Sequence, residues 1–289
     1  MLTSMRNRRG FTLVEILISL VILSVVMGAI YQLLNTTQRL SRAQSEQVSL
    51  QSNVRTGSLV VPSELRELNT VVGGTVGQND VLIMANDDIT YRAMRGFGQL
   101  CESPASQTQL RISRNSYSGY RDPVAGRDSV YVFLDGNPDV SSDDGWMPLQ
   151  ITGVATGNVC PGAAAGITLT TAASAALPGL AVRTPVRTYE VMQLSLYDAD
   201  GRSWLGARSV SAGEVMQPLL GPLTVGNGFR LEYFNSTGAA TTDRTAVKSI
   251  RITVRGQTDE MVRPGGTGYM GRPEEELVSQ VLLRNSIRP

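Results

Sequence analysis

Arg8-Arg9-Gly10-Phe11-Thr12-Leu13-Val14-Glu15 heads an apolar run that lasts to Leu34, and the rest of the chain reads as what that run carries. Arg6, Arg8 and Arg9 form a basic leader without an acidic residue, and Gly10 follows at once. From Phe11 to Leu34 the only charged side chain is Glu15. Roughly 24 residues at about 1.5 Å each make about 36 Å of helix, enough to cross a hydrocarbon core of about 30 Å. A cleaved secretory signal shares the basic start and the apolar run. Its apolar stretch is shorter, however, and a small-x-small cleavage site follows it. Here the chain continues as Tyr31-Gln32-Leu33-Leu34-Asn35. A plain signal anchor explains the length but neither Gly10 nor Glu15.

The stretch Arg9-Gly10-Phe11-Thr12-Leu13-Val14-Glu15 resembles the processing site of type IV prepilins and of type II secretion pseudopilins. In that family a membrane aspartyl peptidase, the prepilin peptidase, cuts after the glycine and methylates the new N-terminal phenylalanine. The resemblance implies a cut between Gly10 and Phe11, N-methylation of Phe11, and an assembly role for Glu15 as partner of a neighbouring subunit's N-terminal amine. Physical chemistry reaches part of this independently. A carboxylate near the centre of a membrane helix costs on the order of 3 kcal/mol, so such groups are as a rule paired and functional. Cleavage at Gly10 creates an amine four residues before Glu15, and four residues make one helical turn. Glu15 could hold its own amine or that of a neighbour, which would set axial register in a filament. The residues leave both open; the resemblance favours the neighbour.

The chain has 289 residues with 26 basic and 25 acidic side chains, a net +1. Removing the leader takes away three arginines and leaves 23 basic against 25 acidic groups, a net −2. No strong basic field remains, so no nucleic-acid partner is expected. The absence of histidine removes Ser–His and Cys–His nucleophile pairs and the usual histidine–zinc sites. No phosphate-binding loop, catalytic triad or Cys-x-x-Cys occurs, so neither enzymatic activity nor a cofactor is expected. The arginines ahead of the apolar run place the N-terminus in the cytoplasm and the remainder across the membrane. In an oxidising compartment Cys101 and Cys160 read as one disulfide, with two separate buried thiols as the alternative. Closing a loop of roughly 60 residues would contribute about 4 kcal/mol, less any strain.

Beyond Leu34, Leu40, Ala43, Leu50, Val54, Val61, Leu65 and Leu68 recur at helical spacings, which predicts an amphipathic continuation of the helix. Gly57-Ser58 and Pro62 predict a kink or break within it. After Asn69 the pattern turns to β. Val81–Met84 and Ile89–Arg92 flank Asn86-Asp87-Asp88 as a hairpin, and Ser129–Leu134 reads as a strand. Thr188–Tyr197 turns through Asp198-Ala199-Asp200-Gly201 into Ser203–Val210. Phe229–Phe234, Ala246–Val254 and Leu277–Leu283 are further strands. Val154–Leu180, rich in Ala, Gly, Thr and Ser, reads as surface loop with one short strand at Ile167–Thr170; Gly265-Gly266-Thr267-Gly268 reads as a flexible link. Asp135, Asn137 and Asp139 match the first acidic positions of a calcium loop. Val140 and Trp146 stand where that loop needs glycine and glutamate, so a solvated turn is the stronger reading.

The expected class is α+β: a long N-terminal helix on an antiparallel β-rich head. Its parts are a cleaved leader (1–10), a membrane or filament-core helix (11–34), an amphipathic helix (35–70) and a periplasmic head (71–289). Phe229-Arg230-Leu231-Glu232-Tyr233, Val247–Ile252 and the closing Leu282–Asn285 loosely resemble PilW-type minor pilins, with GspJ-type minor pseudopilins close behind. The resemblance implies a non-catalytic subunit of a type IV pilus tip or initiation complex. Its partners would be the prepilin peptidase, the other minor pilins, the major pilin and an inner-membrane assembly platform. It would sit in the inner membrane with a single pass, then in the pilus. A minor pseudopilin of type II secretion or DNA uptake, or a pilus-tip adhesin, is the alternative.

Overall fold

The computed structural model describes residues 10–71, 79–104, 108–135, 137, 139, 144–172, 180–263 and 269–284. The basic leader and the Gly265–Gly268 link lie outside the described residues. The chain divides into two compact units, Met1–Ser49 with Thr258–Pro273 and Leu50–Gln257 with Glu274–Pro289. Helix α1 (Leu13–Arg66) contributes to both.

In the first unit the side chains of α1 from Leu13 to Leu34 are exposed almost throughout. Further along, the Glu46 carboxylate accepts the main-chain N–H groups of Asp259 at 2.9 Å and Glu260 at 3.2 Å. That contact anchors a loop in which Val262 and Gly271 pair as an isolated bridge.

The second unit is an antiparallel sheet on which the last turns of α1 lie. Its thirteen strands, among the described residues, are β1 (Val81–Met84), β2 (Asp88–Gln99), β3 (Gln109–Ser113), β4 (Ser118–Gly119), β5 (Asp128–Leu134), β6 (Gly145–Cys160), β7 (Ala164–Thr171), β8 (Pro185–Ala199), β9 (Arg202–Ser209), β10 (Gln217–Leu223), β11 (Phe229–Phe234), β12 (Ser249–Gln257) and β13 (Glu274–Leu282). The main path runs β11-β12-β10-β9-β8-β5-β6-β7-β3, with β1 and β4 beside β2, β2 beside β8, and β13 beside β12. The expected α+β class is what the chain adopts. The β8–β9 hairpin turns at Asp200 and Gly201, both at positive φ (54° and 71°), as an Asp-Gly two-residue turn requires.

Leu50, Val54, Gly57, Val61 and Leu65 are the buried face of α1, and Leu68 continues it past the helix end. Their spacings of three and four keep them on one side. They join Leu220, Leu223, Phe229, Leu231, Ile250, Ile252 and Val254 in the larger core. A second core, with Leu110, Ile112, Val132, Ile151, Ile167 and Leu169, fills the β3–β5–β6–β7 end.

Three expectations need correction. The stripe is buried only from Leu50 onward; Leu40 is exposed and Ala43 half-buried. The helix does not break between Gly57 and Pro62 but runs on to Arg66. Pro62 deletes one intrahelical bond, to the Ser58 carbonyl, and an interior proline costs about 3 kcal/mol. Burying Val54, Val61 and Leu65 against the sheet returns about 1.5–3 kcal/mol apiece, so packing wins. Gly57 is part of that packing, because a Cβ there would stand 2.3 Å from Leu220 Cδ2. Finally, most of Val154–Thr171 is not loop: β6 continues to Cys160 and pairs with β7. Residues 155–158 of β6 are exposed, so no buried alternation marks them, and pairing with β7 makes the strand.

Candidate assembly site at the N-terminal helix

Thr12 starts the helix. Its Oγ1 accepts the Glu15 N–H at 3.3 Å, and its carbonyl accepts the Ile16 N–H at 3.2 Å. These bonds satisfy donors that a helix N-terminus otherwise leaves open. Thr12-x-x-Glu15 is the capping-box spacing, a local signal legible in the sequence. Glu15 falls in the first turn, where a carboxylate also meets the positive end of the helix dipole.

Helix geometry therefore begins at Leu13, with Phe11 ahead of the cap. In this chain Phe11 and Glu15 are not one helical turn apart, so helical periodicity does not set the Phe11 nitrogen beneath its own Glu15. Phe11 is 81% exposed. The Glu15 carboxylate is exposed and has no hydrogen bond or ion pair among the described residues. Gly10 is exposed, with open space where a Cβ would stand. The Gly10–Phe11 bond thus sits in exposed chain without regular secondary structure, immediately before an apolar helix.

Cys101 and Cys160 are joined as a disulfide with Cα atoms 5.7 Å apart. The Cys101 N–H donates to the Arg111 carbonyl at 2.9 Å, and Cys160 ends β6, so the bridge ties the exit of β2 to the far end of the β6–β7 hairpin. Of the three residues matching a calcium loop, the Asp139 N–H donates to Asn137 Oδ1 at 3.2 Å. Among the described residues no group of three His, Cys, Asp or Glu side chains is arranged to hold a metal ion.

The head also holds a charge cluster that the sequence reading missed. Glu190, in β8, is buried. Its carboxylate meets Arg95 Nε at 3.0 Å, Arg127 Nε at 2.6 Å and Arg121 Nη2 at 3.3 Å. Arg121 also holds buried Asp128, Arg127 holds Glu214 at 2.8 Å, and Arg95 reaches Glu64 of α1 at 3.5 Å. Burial pushes the Glu190 carboxyl up, but its bonds to Ser209 and Arg95 and the charge of Arg127 outweigh that and hold it below the usual carboxylate range. The three arginines are scattered along the chain, so no spacing announced the cluster.

The geometry defines a class: an apolar helix long enough to cross a membrane, with an accessible Gly–Phe bond ahead of its cap, joined to a disulfide-bonded antiparallel head. Residues 5–31 match the family model of the prokaryotic N-terminal methylation motif. The motif indicates a type IV pilin-like chain processed by prepilin peptidase, and with the apolar helix it indicates membrane anchoring. No curated protein and no solved structure matches the chain.

Proposed function

We propose that this protein is a minor pilin, a non-catalytic subunit of a type IV pilus tip or initiation complex. The observation that carries the proposal is the exposed Glu15 carboxylate, without a partner among the described residues, one turn into an exposed apolar helix. Prepilin peptidase cuts after Gly10 and methylates Phe11. The helix waits in the inner membrane with its N-terminus cytoplasmic and its head periplasmic, and then enters a bundle of like helices. Lipid and bundle are similarly apolar, so the exchange is nearly balanced and specific contacts decide it. Glu15, paired with the Phe11 amine of an adjacent minor or major pilin, supplies one such contact and fixes axial register. The periplasm suits the Cys101–Cys160 bridge.

The pseudopilus of type II secretion or DNA uptake uses the same chemistry and differs in its partners. A tip adhesin would need a ligand surface. An open groove of about 800 Å³ lined in part by Phe97, Tyr120, Arg187 and Arg284 is the place for one.

Glu15→Ala tests the proposal. Removing a charge eases insertion, so the variant should still insert and be cut. It should be depleted from sheared filaments or a co-purified tip complex while accumulating in membranes. Normal incorporation would falsify the role given to the carboxylate. Deletion phenotypes then separate the machines: loss of all filaments marks an initiator, lost attachment with normal filaments an adhesin, and lost secretion with normal pili a pseudopilin.

A further inference from the structure

Among the described residues β13 is paired on one side only. Nine consecutive residues, Glu274 to Leu282, face β12 from Gln257 to Ser249 without a register shift, and β13 has no other strand partner among the described residues. The main-chain bonds fix which residues face which way. Just beyond the two ends of the ladder, the Leu283 N–H donates to the Lys248 carbonyl at 3.0 Å and the Pro273 carbonyl accepts the Thr258 N–H at 3.0 Å. Odd-numbered residues therefore bond toward β12. In an antiparallel ladder the alternate residues direct both their N–H and C=O the other way. Glu274, Glu276, Val278, Gln280 and Leu282 thus line the open edge with their main-chain groups. The next even residue obeys the same rule: the Arg284 N–H turns from β12 and donates to the Arg66 carbonyl at 2.9 Å. The end of α1 closes the edge there, and from Glu274 to Leu282 it is open among the described residues.

Open, unbulged edges invite another strand, and folded proteins blunt them with charge, proline or bulges. Here only the first third carries charge. Leu277 to Leu282 holds none, and Val278 and Leu282 are 53% and 63% exposed. Glu276 is held by Arg255 of β12, whose Nε donates at 2.9 Å, but Glu274 and Glu275 have no ion pair among the described residues.

We propose that this edge receives an extended strand from a different polypeptide. The strand runs antiparallel to β13, apolar opposite Val278–Leu282 and carrying Lys or Arg opposite Glu274–Glu276. Strand side chains project above and below the sheet, so both edges of β13 present the same side chains. The strand already on one edge, β12, shows what they accept: Ile250-Arg251-Ile252-Thr253-Val254-Arg255, with Arg255 opposite Glu276. A second copy of β13 fits poorly. Antiparallel, it sets Glu274–Glu276 against residues 280–282, which bear no cation; parallel and in register, it sets glutamate against glutamate. The proposal stands on the sheet alone and holds for any machine the protein serves.

The test is amide hydrogen exchange on the full-length protein in detergent micelles, with a nine-residue peptide of the sequence of residues 249–257 as probe. The amides of Glu276, Val278, Gln280 and Leu282 should exchange fast alone and at least about tenfold more slowly with the peptide, while those of Leu277, Ser279 and Val281 stay protected throughout. Val278→Pro removes one outward N–H without touching the β12 ladder, a placement that edge strands tolerate. It should abolish the protection and leave the odd-numbered amides slow. A peptide with both arginines changed to glutamate should protect far less. Unchanged exchange with the parent peptide overturns the proposal, as does protection that survives Val278→Pro. Loss of protection at Leu277, Ser279 and Val281 would show displacement of β12 instead. Protection that grows with protein concentration alone would assign the edge to a second copy.

Discussion

Glu190 sits in the middle of a strand with the guanidinium groups of Arg95, Arg121 and Arg127 around it. Removing one member of a buried ionic group leaves the others uncompensated, at a cost of about 3–5 kcal/mol. Glu190→Gln keeps the shape and deletes the charge. Chemical denaturation at neutral pH should show a loss of about 3 kcal/mol, and an unchanged midpoint would mean that Asp128, Glu214 and Glu64 suffice. Because the Glu190 pKa is held low, its contribution is present above the ordinary carboxylate range and is lost as pH falls through its own folded value. At the other end of the chain, the proposed cut requires that Gly10 have no side chain. Gly10→Val should leave the leader attached and the protein in the membrane. N-terminal sequencing of the parent protein checks the same point: a start other than Phe11 sinks the assignment.

The elements differ in what holds them. The last turns of α1 are held by packing strong enough to carry Pro62 through. The β6–β7 hairpin has exposed residues over much of β6 and depends on pairing and on the Cys101–Cys160 bridge, whose partners lie 59 residues apart. On the loop-entropy account such a crosslink contributes about 4 kcal/mol. The double variant Cys101→Ser, Cys160→Ser should lose about 2–4 kcal/mol. Its exchange should rise first in β3, the end of β6 and β7, while amides in β12 stay slow. Uniform acceleration across both cores would show that the bridge restrains the unfolded chain as a whole rather than this hairpin.

Across the whole head, stability should depend on pH through Asp80. Its carboxylate accepts the Asn69 N–H at 2.8 Å just after α1, and its main-chain carbonyl accepts the Arg92 N–H at 2.8 Å, so it joins the helix exit to the sheet. Burial raises its pKa to about 6, against the pull of the Asn69 N–H and of Arg92, Tyr131 and Arg187. The folded chain thus keeps a proton that the unfolded chain releases near 3.8. Stability from this group is greatest below that window and falls as pH rises through it. Asp80→Asn imitates the neutral form. Relative to the parent it should therefore gain stability between about pH 4 and about pH 7, by at most about 3 kcal/mol. Parallel unfolding curves for the two proteins across that range would count against the assignment.

The sequence by itself determined the long helix, the Gly10–Phe11–Glu15 motif, the α+β class and most strand cores, because these depend on local composition and on periods of 3.6 and 2. Asp200-Gly201 was legible for the same reason: positive φ at both positions is a local demand. Only the tertiary structure decided that α1 continues through Pro62, since the opposing burial comes from β10 and β12, far away in sequence. It also decided that β10 is a strand despite Pro218 and Pro222, because register shifts against β9 absorb the irregularity. The Glu190 cluster and the open edge of β13 belong to the same kind. Each depends on which residues long-range pairing brings together, or leaves without a neighbour, and no local pattern encodes that.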